Sequence, residues 1–276
     1  MAITKVLKEW MPPALVRLAK QAKKRFGKSN AIEKTFFCPV CNHSVKEFHR
    51  ISDFWDDMMD KYACIHSIYC IETLNRKAYS CPHCHASDRD RLYAIYLDVI
   101  FNAIQTKDRK CNLLEMAPTK CLTEFIKKHR FIQYRSSDLY MEDVDDHVDI
   151  TDMYIYPDNK FDVIICSHIL EHVEDDRKAM SELYRILSPD GFAIVMAPVN
   201  LSLAEDFENS TYQTEAERWK YFGQNDHVRF YSKNGFVNKL TQTGFKVSQL
   251  GVEYFGQEIF IKNGIHPRSV LYVVTK

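Results

Sequence analysis

Apolar residues recur along this chain with two different periods, and the alternation between them sets its organisation. From Asp88 to about Gln105 the stretch LYAIYLDVIFNAI is apolar at helical spacing. It leads into CNLLEM, a short apolar strand, and then TKCLTEFIKKH, which is helical again. FIQYRSSDL reads as a second strand, ending on Asp138. Phe161 to Cys166 is apolar without a break, the pattern of a parallel strand covered on both faces. Asp175 to Leu187 has the spacing of a helix, Ser188-Pro189-Asp190-Gly191 reads as its stop, and Phe192 to Met196 as the next strand. The last third keeps a helical stretch, YSKNGFVNKLTQTGF, and two strand stretches, KVSQLGV and VLYVVTK, which can close a sheet with an antiparallel edge. Repeated strand-helix units of this kind predict an α/β fold built on a doubly wound sheet.

The first thirty residues differ from the rest. They carry eight Lys/Arg against the single acid Glu9, in a chain where Lys+Arg and Asp+Glu are equal at 37 each. After Pro12-Pro13, Leu15, Leu18, Ala19, Ala22 and Phe26 recur at helical spacing while Arg17, Lys20, Lys23, Lys24 and Arg25 take other faces. Residues 1–30 therefore read as a basic amphipathic helix. It either lies on an anionic inner-membrane leaflet or packs its stripe on the body of the protein, and both readings stand. A neutral chain with no basic, aromatic-rich stripe beyond that segment argues against a nucleic-acid partner. With short, interrupted apolar runs and no signal-peptide core, the expectation is a cytoplasmic protein, at most peripheral at the inner membrane.

Nine cysteines in such a protein point to metal or free thiols rather than disulfides. Four of them form two Cys-Pro-x-Cys knuckles, Cys38/Cys41 and Cys81/Cys84, each with two thiolates at the spacing that lets a tight turn grip one tetrahedral ion. A structural Zn2+, closed to water by four protein ligands, is the expectation. Cys64, Cys70 and His66 in the intervening loop, with His43, His83 and His85 beside the knuckles, leave ligand exchange open. Residues 31–87 read as a zinc-knuckle module ahead of a main domain at 88–276.

The polar positions at strand ends carry the chemistry. Glu115 ends one strand, Asp138 the next at a distance suited to a ribose-binding carboxylate, Asp149 follows in DITD, and FDVIICSHILEHVEDD stops a buried strand on Ser167-His168 with Glu171-His172 one turn later. Taken in order, LLEMAP, Asp138, Asp149, FDVIICSHILEHVEDD, ELYRILSPDGFAIVMAPV and FGQNDHVRFYS resemble a class I S-adenosylmethionine-dependent methyltransferase, of a type 11-like bacterial subgroup whose cofactor motif reads E-x-A-P. That subgroup similarly begins with two Cys-x-x-Cys pairs and an arginine-rich helix start like SDRDRL. One departure stands out: where most such enzymes have a glycine pair after the motif acid, Ala117-Pro118-Thr119 stand here.

The resemblance implies a Rossmann-like seven-stranded sheet with S-adenosyl-L-methionine as cofactor. Glu115 and the backbone of Met116, Ala117 and Pro118 would face its amino-acid end, Asp138 with Leu139 the ribose, and Asp149 with the Ile150 amide the adenine. Ser167 and His168 would line the methyl path, and Glu171-His172 the rim of the same cleft. Where the acceptor keeps its proton, His227 and His172 are the candidate bases, with Asp226 placed to orient His227 and Arg229 with Tyr231 to hold an anionic or glycan substrate. The favoured function is O-methylation of a sugar or glycan intermediate, with the aromatic residues of EDFENSTYQTEAERWKYFGQ as a stacking lid. Methylation of a small metabolite, of a protein or RNA nitrogen, or a non-catalytic cofactor-binding scaffold remain the alternatives.

Overall fold

The computed structural model of the chain describes residues 35–105 and 110–276. The basic helix expected over residues 1–30 lies outside the described residues. Among the described residues no helix is long and apolar enough to cross a membrane.

Two three-residue strands come first, β1 (Phe36–Cys38) and β2 (His43–Val45), paired antiparallel, and then helices α1 (Phe54–Lys61) and α2 (Asp88–Gln105). The strand-helix units follow as β3 (Cys111–Met116), α3 (Lys120–Lys127), β4 (Ile132–Asp138), β5 (Asp146–His147), β6 (Phe161–Ser167), α4 (Asp176–Ile186) and β7 (Leu187–Met196). The remainder holds β8 (Phe207–Glu208), α5 (Glu215–Phe222), β9 (Arg229–Phe230), α6 (Lys233–Gln242), β10 (Lys246–Leu250), the short α7 (Val252–Phe255) and α8 (Gln257–Lys262), and β11 (Leu271–Thr275).

Seven of these strands form one Rossmann-like sheet in the order β10-β11-β7-β6-β3-β4-β5. It is parallel from β7 to β5, and antiparallel where β11 lies between β7 and β10. Helix α3 shows why the units fold back on it: Leu122, Phe125 and Ile126 fall on one face and are buried. Strand β6 is covered on both sides, with Val163, Ile164, Ile165 and Cys166 at most 1% exposed. From β3 the units step outward to β4 and β5, and from β6 outward to β7. The β3/β6 border is therefore the topological switch point, and the crevice beyond the carboxyl ends of those strands is where such sheets hold ligands.

Two sequence expectations need correction. Ser188-Pro189-Asp190-Gly191 does not end the run before a separate strand: β7 starts at Leu187, opposite Phe161, and re-enters register at Phe192 opposite Val163, so these residues form an irregularity inside one strand. Gly191 is required there by space, since a Cβ would lie 2.7 Å from the Asp162 carbonyl oxygen. The aromatic residues of the expected lid pack on one another instead of standing open. Tyr212 stacks on Tyr221 at 3.8 Å, and Trp219, 3% exposed, stacks on Tyr62 and meets Trp55 of α1. The knuckle region joins the main core, where Cys38, Val40, Val45, Phe48 and Cys81 pack in one cluster with the sheet.

Candidate active site

Two left-handed residues flank the switch point. Ala117, just after β3, has φ 47°, and His168, just after β6, has φ 57°. For a residue with a Cβ this conformation costs about 1–2 kcal/mol, and such strain concentrates where backbone is held for a ligand. The left-handed position after Met116 is thus taken here by alanine. It is held by the Ala117 amide donating to Ser137 O at 2.9 Å, and the His168 amide donating to Met196 O at 2.8 Å fixes the other corner.

Glu115 ends β3 at the crevice, and its carboxylate holds the turn that follows. Oε2 accepts from Thr123 Oγ1 at 2.8 Å and Tyr134 OH at 2.7 Å, and Oε1 from the Thr119 amide at 3.3 Å. Burial raises its pKa, and these donors oppose the rise. These bonds fix the Glu115 carboxylate at the end of β3, with the Met116, Ala117 and Pro118 backbone following it at the crevice. Asp138 is bent into its own loop, with Oδ1 accepting from the Tyr140 and Met141 amides at 2.7 and 2.8 Å; Leu139 is 43% exposed. The Asp149 loop lies beside it, since the Val148 amide donates to Asp138 O at 3.2 Å. Asp149 Oδ1 accepts from the Thr151 amide and hydroxyl, and Ile150 is buried below.

The start of α2 reaches into the same crevice, which sequence reading did not assign to the site. Tyr93 OH lies 2.8 Å from Ser167 Oγ, and Arg89 Nη1 lies 2.8 Å from His168 Nε2. The run SDRDRL was legible as a helix start, yet only the packing of α2 across β6 shows that Arg89 and Tyr93 share the cleft with the two strand-end residues.

His168 begins a cluster. Its Nδ1 stands 3.1 Å from Oε1 of Glu171, which lies in a 3-10 turn (Leu170–His172) and is fully buried rather than on the rim. His172 Nε2 is 4.0 Å from the same oxygen, and the His172 and His227 rings meet edge to face at 4.7 Å. The Val228 amide donates to Glu171 O at 2.9 Å and fastens the His227 loop over the turn. Asp226 does not orient His227: its Oδ2 lies 3.3 Å from His172 Nδ1, while His227 Nδ1 is buried without a partner. Arg229 and Tyr231 are not open to substrate. Arg229, 4% exposed, pairs with Glu208 at 2.9 Å and donates to Leu170 O and Glu174 O, and the Tyr231 hydroxyl donates to Asp176 at 2.6 Å. Burial raises the Glu171 carboxyl, but the His168 imidazole and its neighbours outweigh this and take it down to about 2. Burial also lowers His168 and takes His227 down to about 4.

The four knuckle cysteines converge. Cys38 Sγ lies 3.7 Å from Cys84 Sγ and Cys41 Sγ 3.9 Å from Cys81 Sγ, and all four fall within 4.8 Å of one another. Four thiolates on one tetrahedral ion at about 2.3 Å stand about 3.8 Å apart, so the donor set fits. Both knuckles make the same turn: the amides of Asn42 and His85 donate to Cys38 O and Cys81 O at 2.8 and 2.9 Å, and both residues have φ near +60°, at 61° and 62°. The neighbouring groups have other bonds. His43 Nδ1 lies 3.0 Å from Cys41 O, and Cys64 donates to His66 O.

This chain is similar to solved methyltransferases. A methyltransferase from Archaeoglobus fulgidus, dependent on S-adenosylmethionine, shares 14% identity over 69% of this chain and 94% of that one, with a TM-score of 0.43. One from Mesorhizobium loti shares 13% over 64% and 96%, with a TM-score of 0.40, and the CurJ carbon methyltransferase 14% over 95% and 89%, with 0.43. A search of the curated proteins finds no match. A family model described as a methyltransferase domain matches residues 86–250, more than half of the chain, from the residue before the SDRDRL helix start through β10. That span contains both left-handed corners, both acid loops and the histidine cluster, and the chain belongs to the methyltransferase-domain family, as a class I enzyme dependent on S-adenosylmethionine.

Proposed function

We propose that the protein moves the sulfonium methyl group of S-adenosylmethionine to a hydroxyl oxygen, with a sugar or glycan as the acceptor class. The observation that carries the oxygen reading is the cluster of imidazoles continuous with the methyl path at Ser167-His168. A sulfonium needs only an aligned nucleophile, whereas a hydroxyl must also lose its proton. His172 has the geometry to take it: its side chain is 30% exposed, and Asp226 stands behind its other nitrogen. The backbone of Met116 to Pro118 and the loops of Asp138 and Asp149 would receive the cofactor along the strand ends. Arg89, whose guanidinium meets a neutral ring rather than a carboxylate at His168, would hold the cofactor's carboxylate. The thiol quartet would hold a structural Zn2+, and the basic segment 1–30 would touch an anionic membrane surface; sedimentation with anionic liposomes of the full chain against one lacking residues 1–28 checks the latter, and no binding by either ends it.

Isothermal titration with S-adenosylhomocysteine tests the cofactor reading and is expected to show one site per chain. Arg89→Gln is expected to weaken that binding about 10–100-fold, the worth of one charge-assisted hydrogen bond to an anion. No heat with wild-type protein sinks the cofactor assignment, and unchanged affinity in the variant removes Arg89 from it. Turnover on nitrogen acceptors with none on any hydroxylated sugar would overturn the oxygen reading.

A further inference from the structure

We propose that Glu171, His172 and His227 form a binding site for one divalent transition-metal ion beside the methyl path, distinct from the thiol quartet. This deepens the hydroxyl reading above and rests on it, with an ion in place of a free imidazole base as the group that activates the acceptor oxygen.

One donor atom from each residue lies within 4.8 Å of the others. Nitrogen and oxygen donors on an ion at about 2.0–2.2 Å stand roughly 3–3.5 Å apart, so closure asks for side-chain movements of about 1 Å. The independent observation is the state of the donors. Glu171 is fully buried and meets only the His168 imidazole, whose Nδ1 lies 3.1 Å from Oε1, so Oε2 is without a partner, and His227 Nδ1 is also buried without one. The groups within 4 Å of the carboxylate are the imidazoles of His168 and His172, and among the described residues no lysine or arginine nitrogen is. A buried carboxylate with a single imidazole donor and no cation is disfavoured, and an ion supplies what is lacking. Asp226 Oδ2, 3.3 Å from His172 Nδ1, supplies the outer carboxylate that commonly fixes the ring of a metal-binding histidine. The 3-10 turn sets Glu171 and His172 side by side, and the Val228 amide on Glu171 O brings His227 to them.

Two imidazoles and one carboxylate leave coordination positions open and suit Zn2+, Fe2+ or Mn2+ better than Mg2+ or Ca2+. An acceptor hydroxyl bound at an open position has its pKa lowered. Its proton passes to water, the oxygen's electron pair forms the new C–O bond, and the C–S pair stays on sulfur as S-adenosylhomocysteine.

The test is a Co2+ titration of the full-length chain with its zinc in place, followed by visible absorption. Expected is one equivalent with the bands of nitrogen and oxygen ligation and no thiolate charge transfer. Glu171→Gln and His227→Gln, checked for folding by circular dichroism, are expected to lose more than about 100-fold in affinity, and Asp226→Asn about 10–100-fold, the range for an outer-sphere partner. The zinc content of all variants should match wild type. Uptake of no Co2+ outside the thiolates, or equal affinity in Glu171→Gln and His227→Gln, overturns the site. Parallel S-adenosylhomocysteine titration separates the two readings: cofactor binding without a second ion refutes the ion alone, and ion binding without cofactor refutes methyl transfer and not the metal.

Discussion

Cys81→Ser is expected to empty the thiol quartet of metal and to lower the melting temperature by about 10 °C or more. The physical reason lies in how little else holds the knuckles. Strands β1 and β2 have three residues each, and each knuckle turns on one left-handed residue, Asn42 or His85. Cys38 and Cys81 are fully buried and belong to the same core as the sheet, so disorder at the knuckles exposes part of that core. Structural zinc contributes about 10–16 kcal/mol in isolated finger peptides. If a third of that operates here, at about 2–4 °C per kcal/mol for a chain of this class, the shift reaches roughly 7–20 °C. A serine hydroxyl stays protonated where a thiolate is needed, so three ligands remain. Elemental analysis and thermal melting check the expectation together, and a strong chelator should reproduce the variant's curve on wild-type protein. Wild-type chain purified under reducing conditions without zinc, or a melting temperature indifferent to chelator, would defeat it.

What the sequence disclosed, and what it hid, follows from the range over which each signal acts. Periodicity is local, so α2 was legible from Asp88 to Gln105, and β6 as a strand buried on both faces. Spacing within a turn is local too, which is why two Cys-Pro-x-Cys pairs announced four converging thiols. Side-chain direction across loops is not local. Asp226 adjoins His227 in the chain but meets His172, because the Val228 amide anchors that loop on Glu171 and sets which way each residue points. Glu115 was readable as the acid of a cofactor turn, but besides the Thr119 amide of its own turn its donors come from α3 and β4, and only the fold brings those to it. Arg229 and Tyr231 have the composition of a substrate clamp and the burial of a structural ion-pair network. The Ala117 departure resolves the same way: with no glycine, the left-handed turn is still made, at a cost carried by bonds to the neighbouring strand.

Arg91→Met is expected to cost about 3–5 kcal/mol of stability, at about 1–3 kcal/mol for each buried acceptor left unsatisfied. The Arg91 side chain is fully buried, and its five N–H donors meet five carbonyl oxygens: Nε to Asn263, Nη1 to Tyr79 and Ala86, and Nη2 to Ala78 and Gly264. Phe48 covers the guanidinium at 3.8 Å. Gly264 completes this socket: its φ of +61° and a Cβ position only 2.4 Å from Phe48 exclude larger residues. Arg91 thus ties α2 both to the backbone flanking the second knuckle and to the turn after α8, joining the knuckle region to that turn through one side chain. Methionine fills much of the volume but takes a donor from each of five carbonyls, of which Ala86 O keeps the Cys81 amide at 3.0 Å and Gly264 O the Asn75 side-chain amide at 2.9 Å, so hydrogen bonding rather than packing is what it removes. Lysine brings three donors on a point charge and cannot span a planar fork of acceptors, so Arg91→Lys should recover only part of the loss. Urea unfolding of the three proteins gives the comparison directly. Because α2 also carries Arg89 and Tyr93 into the crevice, the Met variant should bind S-adenosylhomocysteine more weakly even where it remains folded. A Met variant within about 1 kcal/mol of wild type, the usual size of a single net hydrogen bond, would show that the Ala78, Tyr79 and Asn263 carbonyls find other donors and that the socket is not what joins the module to the sheet.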